Sequence, residues 1–252
     1  MEGTGEETGD ATGDAPRDSG AAQCEGLARQ FDGYCERTDL TLWSEPVNAV
    51  TNVAFLIAAL WAWRRVRAAR AAGQPLPVAE LLCLWLAAIC VGSALFHTFA
   101  TVWAVIADIV PIVGFTLTYV FVSHRYFWRQ GRVAALMWTG AFLPYAAVTG
   151  PAFAALPFFA ISSAYWPIVL LIAIHAAALW RREPATARGL AIGAGIVTLS
   201  LVFRSVDETV CAAFPLGTHF LWHILNGVAL GWLIEVYRRH ATGEAPGQAR
   251  GA

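Results

Sequence analysis

The chain of 252 residues contains no lysine, so each of its 17 Lys/Arg positions is an arginine. Charged residues make up only 14% of it, against 57% hydrophobic. That balance excludes an ordinary soluble domain, in which about a quarter of residues carry charge. Strand-length alternation of apolar and polar residues is missing, which argues against a transmembrane barrel. The first thirty residues have neither a basic start nor an apolar run, so no cleavable signal is expected there. No internal repeat is found.

What remains is apolar sequence in blocks of membrane-spanning length. Seven are read, at about 48–66, 78–98, 102–122, 133–150, 155–179, 188–206 and 217–237. Pro151, Pro157 and Pro167 interrupt the fourth to sixth, which membrane helices tolerate where neighbours satisfy the freed carbonyls. The expected fold class is all-α: a single integral-membrane seven-helix bundle over 31–240. Residues 1–30 form an acidic tail rich in Gly, Ala and Thr, expected to be disordered, as is 241–252.

The arginines give the bundle a direction. Arg64, Arg65, Arg67 and Arg70 follow the first block, and Arg125, Arg129 and Arg132 the third. Arg181, Arg182 and Arg188 follow the fifth, and Arg238, Arg239 and Arg250 the seventh. The links after the second and fourth have none. An odd number of spans puts these arginines on one side, so the positive-inside rule predicts an outside N-terminus and a cytoplasmic C-terminus. The first span serves as signal anchor. A composition rich in Ala and Arg and free of Lys points to a GC-rich bacterial genome, hence a bacterial inner membrane.

Polar residues are sparse in the blocks, and four lie at one depth. His97 closes the second block, Asp108 lies about two turns into the third, roughly 9 Å at helical rise, and His219 and His223 open the seventh. All fall in the exterior half. His219 and His223, four apart, share a helix face, and His97 completes a set of three. Three histidines match a catalytic zinc site with one open position, where bound water reaches a pKa of about 7. Ser93, one turn from His97, can donate to a developing oxyanion, and Asp108 can relay a proton. A lone membrane histidine is more often a hydrogen-bonding residue than a ligand, and a serine alone marks a helix contact. A carboxylate in a membrane is functional by default.

Other polar residues are read as structural. Asn48 and Asn52 share a face of the first span and are expected to bond to neighbouring helices. Arg204 and Asp207 are spaced for an ion pair, and Asn226 for support of the histidines. His175 lies far from the metal. Trp61, Trp63 and Trp128 mark membrane interfaces. Cys83 and Cys90 are packing residues. Cys35 and Cys211 fall in exterior links, where a disulfide can form. Cys24 is a rival partner, and the sequence does not set the pairing.

Four segments carry a resemblance: YCERTDLTLWSEPVNAVTN (34–52), GSALFHTFATVWAVIADIVP (92–111), VDETVC (206–211) and GTHFLWHILNGVALG (217–231). From about 32 to 237 the chain resembles the alkaline ceramidase family, part of a superfamily of seven-span metal-dependent hydrolases that includes the progestin and adiponectin receptors. The resemblance implies that His97, His219 and His223 bind zinc, that Asp108 is the catalytic carboxylate and Ser93 the oxyanion donor, and that Cys35 pairs with Cys211. It also implies a calcium site using Glu36, Glu45 and the Tyr34 carbonyl. The match departs there. Arg37 and Thr38 replace an acidic residue and an amide, Gly33 stands before Tyr34 with Asp32 displaced by one, and the spacer from Glu36 to Glu45 is shorter. A salt bridge with Arg37 at the helix start is the competing reading of Glu36 and Glu45.

The expected function is a membrane amidase that takes ceramide or another N-acyl lipid from the bilayer and releases a fatty acid and an amine, with its site facing the periplasm. No nucleic-acid partner is expected. A lipid-sensing receptor with a structural or weakly hydrolytic zinc is the rival reading, and the 35–36 segment and Asp108 favour the enzyme. A metal transporter would need polar residues across the whole bilayer, and here they stop in the outer half.

Overall fold

The structure, a computed structural model, describes residues 26–31 and 33–244. Cys24, Asp32, Arg250 and most of both expected tails lie outside the described residues. Among the described residues every regular element is helical, apart from one isolated antiparallel bridge between Gln30 and Thr101. The helices are α1 (Pro46–Ala71), α2 (Pro77–Phe99), α3 (Val102–Phe127), α4 (Arg132–Ala154), α5 (Trp166–Leu179), α6 (Pro184–Val210) and α7 (His219–Thr242). Six are long and apolar enough to cross a membrane; α5 is apolar but has only 14 residues, about 21 Å at helical rise.

The block expected as one span over 155–179 is therefore not continuous. Pro157 opens a single turn, Pro157–Ala160, and further turns lead to α5, which has Pro167 in its first turn. A proline in the first turn has no N–H to withhold from the helix, so each of these prolines starts a segment. Pro46, Pro77 and Pro184 start α1, α2 and α6 in the same way. Pro111 and Pro151 instead lie inside α3 and α4.

Consecutive helices alternate in direction, and their ends form two polar layers. At one end the Glu235 carboxylate, 1% exposed, accepts hydrogen bonds from Arg65 at 2.9 Å, Arg238 at 2.7 Å and Arg239 at 2.7 Å. These join the later halves of α1 and α7. Arg70–Glu80 (2.8 Å) ties α1 to α2, and Arg129–Glu183 (2.8 Å) ties the end of α3 to the start of α6. A buried carboxylate needs such partners, because desolvating a lone charge is costly. Arg182 covers Trp128 and Arg65 covers Trp61, with guanidinium-to-ring distances of 5.6 and 5.3 Å. At the opposite end, His97, the start of α1 and the start of α7 meet.

Between these layers the bundle turns apolar side chains outward as well as inward. Ile57, Leu84, Val110 and Val148 are exposed, and α4 buries only Ala135. Apolar surface this extensive suits lipid rather than water. The chain is a multi-pass membrane protein.

Candidate metal centre

The last turn of α2 and the first two turns of α7 bring His97, His219 and His223 together. One ligand nitrogen from each lies within 4.8 Å of the others, and all three side chains are buried. The ring centroids are 4.7–5.1 Å apart. Spacing of i and i+4 puts His219 and His223 on one face of α7, as the sequence predicts.

Two of the rings are oriented from behind. Nδ1 of His97 lies 2.6 Å from Oε2 of Glu45. Burial alone would raise the pKa of Glu45, but hydrogen bonds from His97, Arg37 and Asn48 outweigh it and hold the carboxyl below its ordinary range. An ionised carboxylate only accepts, so His97 donates from Nδ1, which leaves Nε2 on the side of the ring away from Glu45. Nδ1 of His223 lies 3.1 Å from Oγ1 of Thr51. That hydroxyl donates its proton to Val47 O at 2.7 Å, so it accepts from His223, whose Nε2 is left free. Nε2 of His223 and Nδ1 of His219 are buried without a protein partner. Three clustered imidazoles, two with unpartnered nitrogens and two oriented by a carboxylate and a hydroxyl, fit a divalent cation such as zinc.

Ser93 and Asp108 are buried, and Ser93 Oγ and Asp108 Oδ1 also lack partners. Their helices touch backbone to backbone. A Cβ on Gly92 would stand 2.7 Å from the carbonyl carbon of Ala107 and 3.0 Å from Cα of Asp108, so glycine permits the approach. Ser93 lies one helical turn before His97 on α2.

The segment before α1 covers the histidines. The Tyr34 ring lies 3.8 Å from the His219 ring, centroid to centroid, and 5.3 Å from that of His97. Cys35 is disulfide-bonded to Cys211, with the two Cα atoms 5.3 Å apart. Cys83 and Cys90 are free. Asp207 holds the same corner. Its carboxylate accepts from Cys35 N at 3.0 Å, Thr218 N at 2.6 Å and His219 N at 2.8 Å. This satisfies donors at the start of α7 that no intrahelical carbonyl reaches. Gly217, at φ +63°, completes the turn, where a Cβ would meet that of Cys35 at 2.6 Å.

Asp207 therefore does not pair with Arg204, contrary to the expectation from their spacing. Arg204 donates to Ile161 O at 2.6 Å and Ser162 Oγ at 3.1 Å, with its guanidinium 5.4 Å from the Tyr165 ring. Asn52 donates to Asn48 O within its own helix, and Asn48 to Glu45, so neither bonds to a neighbouring helix. Asn226 lines a cavity instead of supporting a histidine, and Thr51 takes that part. His175 packs against His124 and Trp128 near the arginine end, away from the centre.

The calcium expectation also changes. Glu36 caps α1, accepting from Val47 N at 2.6 Å and Asn48 N at 2.8 Å. Glu45 accepts from Arg37 Nε at 2.6 Å besides His97 and Asn48. The Tyr34 carbonyl accepts from Arg37 N at 3.1 Å. With these oxygens engaged and a guanidinium among them, the set does not fit calcium. The salt-bridge reading stands for Glu45 with Arg37, while Glu36 serves as a cap instead.

Beside the histidines lies a partly open cavity between the helices. Phe55 and Trp222 line it near the centre, where Trp222 stacks on His219 at 5.1 Å. Ile112 through Ser123 carry it along α3, about 16 Å at helical rise, to His175. Its lining is mostly apolar, with Thr116, Ser123, His175 and Asn226 among its polar members.

A family model described as Ceramidase matches residues 33–247. No curated protein matches the chain.

Proposed function

The chain belongs to the ceramidase family, and we propose that it is a zinc-dependent membrane amidase acting on ceramide or a related N-acyl lipid. The observation that carries this reading is the group of three buried histidines beside an apolar cavity, whose lining residues Trp222 and Phe55 pack against His219 and His223. In the reading, the helices cross the membrane seven times, with the N-terminus and the centre outside, facing the periplasm of a bacterium. The arginine layer then lies in the cytoplasm.

His97, His219 and His223 hold the metal, which when bound supplies a Lewis acid and acidifies its water. Glu45 and Thr51 keep the His97 and His223 rings turned toward it. The cavity takes one acyl tail and aligns the amide carbonyl at the centre, so that reaction occurs within one complex. Ser93 donates its hydroxyl to the oxygen that gains charge. Asp108 accepts a proton from the attacking water and returns it to the departing amine. The products are a fatty acid and a free amine, a sphingoid base where the lipid is ceramide.

The test measures zinc in the purified parent beside His97→Ala and His223→Ala, with fatty-acid release from labelled ceramide and from other N-acyl lipids. One zinc in the parent, little in either variant, and release abolished by Asp108→Ala are expected. Equal zinc in all three proteins would remove the mechanism. Zinc with lipid binding but no turnover would favour a receptor.

A further inference from the structure

The loop before α1 closes around a charge of its own. Arg37 is 4% exposed. Its Nε donates to Glu45 Oε1 at 2.6 Å, Nη1 to the carbonyls of Asp39 at 3.2 Å and Thr41 at 3.4 Å, and Nη2 to the carbonyl of His97 at 3.2 Å. Three main-chain carbonyls and a carboxylate are the hard-oxygen donors a calcium ion gathers. Here they surround a guanidinium. The rest of the loop folds on this centre, with Thr38 N and Asp39 N donating to Ser44 Oγ at 3.0 and 3.1 Å.

The same cation reaches both partners of the contact that orients His97. It binds the Glu45 carboxylate, whose other oxygen meets the His97 ring, and it binds the main-chain carbonyl of His97 itself. It thereby fixes the loop against the last turn of α2. A divalent ion added beside a buried guanidinium would meet like charge at low dielectric, where repulsion is strong.

We propose that Arg37 is a positioning residue that replaces a divalent cation, holding the 37–45 loop and, through Glu45, the His97 ring without calcium. This rests on the reading of His97 as a metal ligand. A tethered charge has no dissociation constant, so order in the loop does not depend on the calcium outside the cell. Calcium sites of extracellular modules, by contrast, empty at about 10⁻⁴–10⁻³ M. Arginine is required rather than lysine, because the planar fork serves acceptors in several directions at once.

The experiment uses the full chain in detergent, in buffers freed of calcium by resin, since a soluble chelator would also strip zinc. Parent, Arg37→Gln and Arg37→Lys are compared for zinc affinity by competition with a chromogenic ligand, and for the visible spectrum after cobalt substitution. The parent is also melted with and without millimolar calcium. The parent should melt at one temperature in both buffers. Arg37→Gln should bind zinc about 10–100-fold more weakly and show a shifted cobalt band, with Arg37→Lys recovering only part of the affinity. A melting temperature that climbs with calcium in the parent overturns the proposal, as does an Arg37→Gln protein with parental affinity and spectrum. If Arg37→Gln does not fold, the lysine variant and the calcium melt still decide. A parent without zinc would instead sink the function proposed above, while the calcium melt would still read the role of Arg37.

Discussion

The Thr51 hydroxyl accepts from Nδ1 of His223 across 3.1 Å and donates its own proton to Val47 O, so one side chain links the second turn of α1 to the candidate metal centre. Replacing it with valine keeps the volume and removes the acceptor. Thr51→Val should lower zinc affinity about 10–100-fold with little change in the helical circular dichroism. Competition titration of the purified variant checks this, and parental affinity would show that the hydroxyl does not orient the ring.

Asp108 is buried with one carboxylate oxygen unpartnered. Asp108→Asn preserves its shape but removes the carboxylate that the proposed reaction uses as proton acceptor. Lipid amide hydrolysis should fall about 10²–10⁴-fold in kcat with zinc content unchanged. A variant that loses its zinc would make Asp108 part of the metal's support.

The Cys35–Cys211 link closes a loop spanning 176 residues of sequence. Removing such a link typically costs about 2–5 kcal/mol. Cys211→Ser should melt several degrees lower than the parent, and reductant should lower the parent toward the variant. Differential scanning in detergent reads both.

Ser123 lies at the far end of the cavity from the histidines. Ser123→Phe should shift the acyl-chain optimum toward shorter lipids and leave the zinc site intact, measured as relative kcat/KM over N-acyl lipids of graded length. An unchanged optimum would mean that the tail lies elsewhere.

Gly92 lets the backbones of α2 and α3 approach each other at Ala107 and Asp108. The neighbouring atoms are backbone and cannot swing aside. Gly92→Ala should therefore destabilise by about 1–3 kcal/mol through overpacking and reduce turnover by moving Ser93 relative to Asp108. Parental melting and turnover would show that the contact relaxes freely.

The parts legible in the sequence were those with short periods. Helical spacing of His219 and His223 and the length of the apolar blocks needed only nearby residues. The Cys35–Cys211 pair followed from family resemblance and not from spacing. Long-range geometry stayed hidden. Asp207 looked like a partner for Arg204 three residues away, but it binds Cys35 N, 172 residues off, and the two backbone N–H groups that open α7. Tyr34 was read for its carbonyl, while its ring covers His219. Asn226 shares a helix with His223, yet support came from Thr51 on another. The fifth block failed as one span because hydropathy does not register where Pro157 and Pro167 restart the helix. The competing salt-bridge reading of Glu45 and Arg37 did hold, because the two residues are local in sequence.

The covalent staple at Cys35 fastens the segment that carries Tyr34 across the histidines. With that bond reduced, the cover would rest on hydrogen bonds from Cys35 to Asp207 at the end of α6.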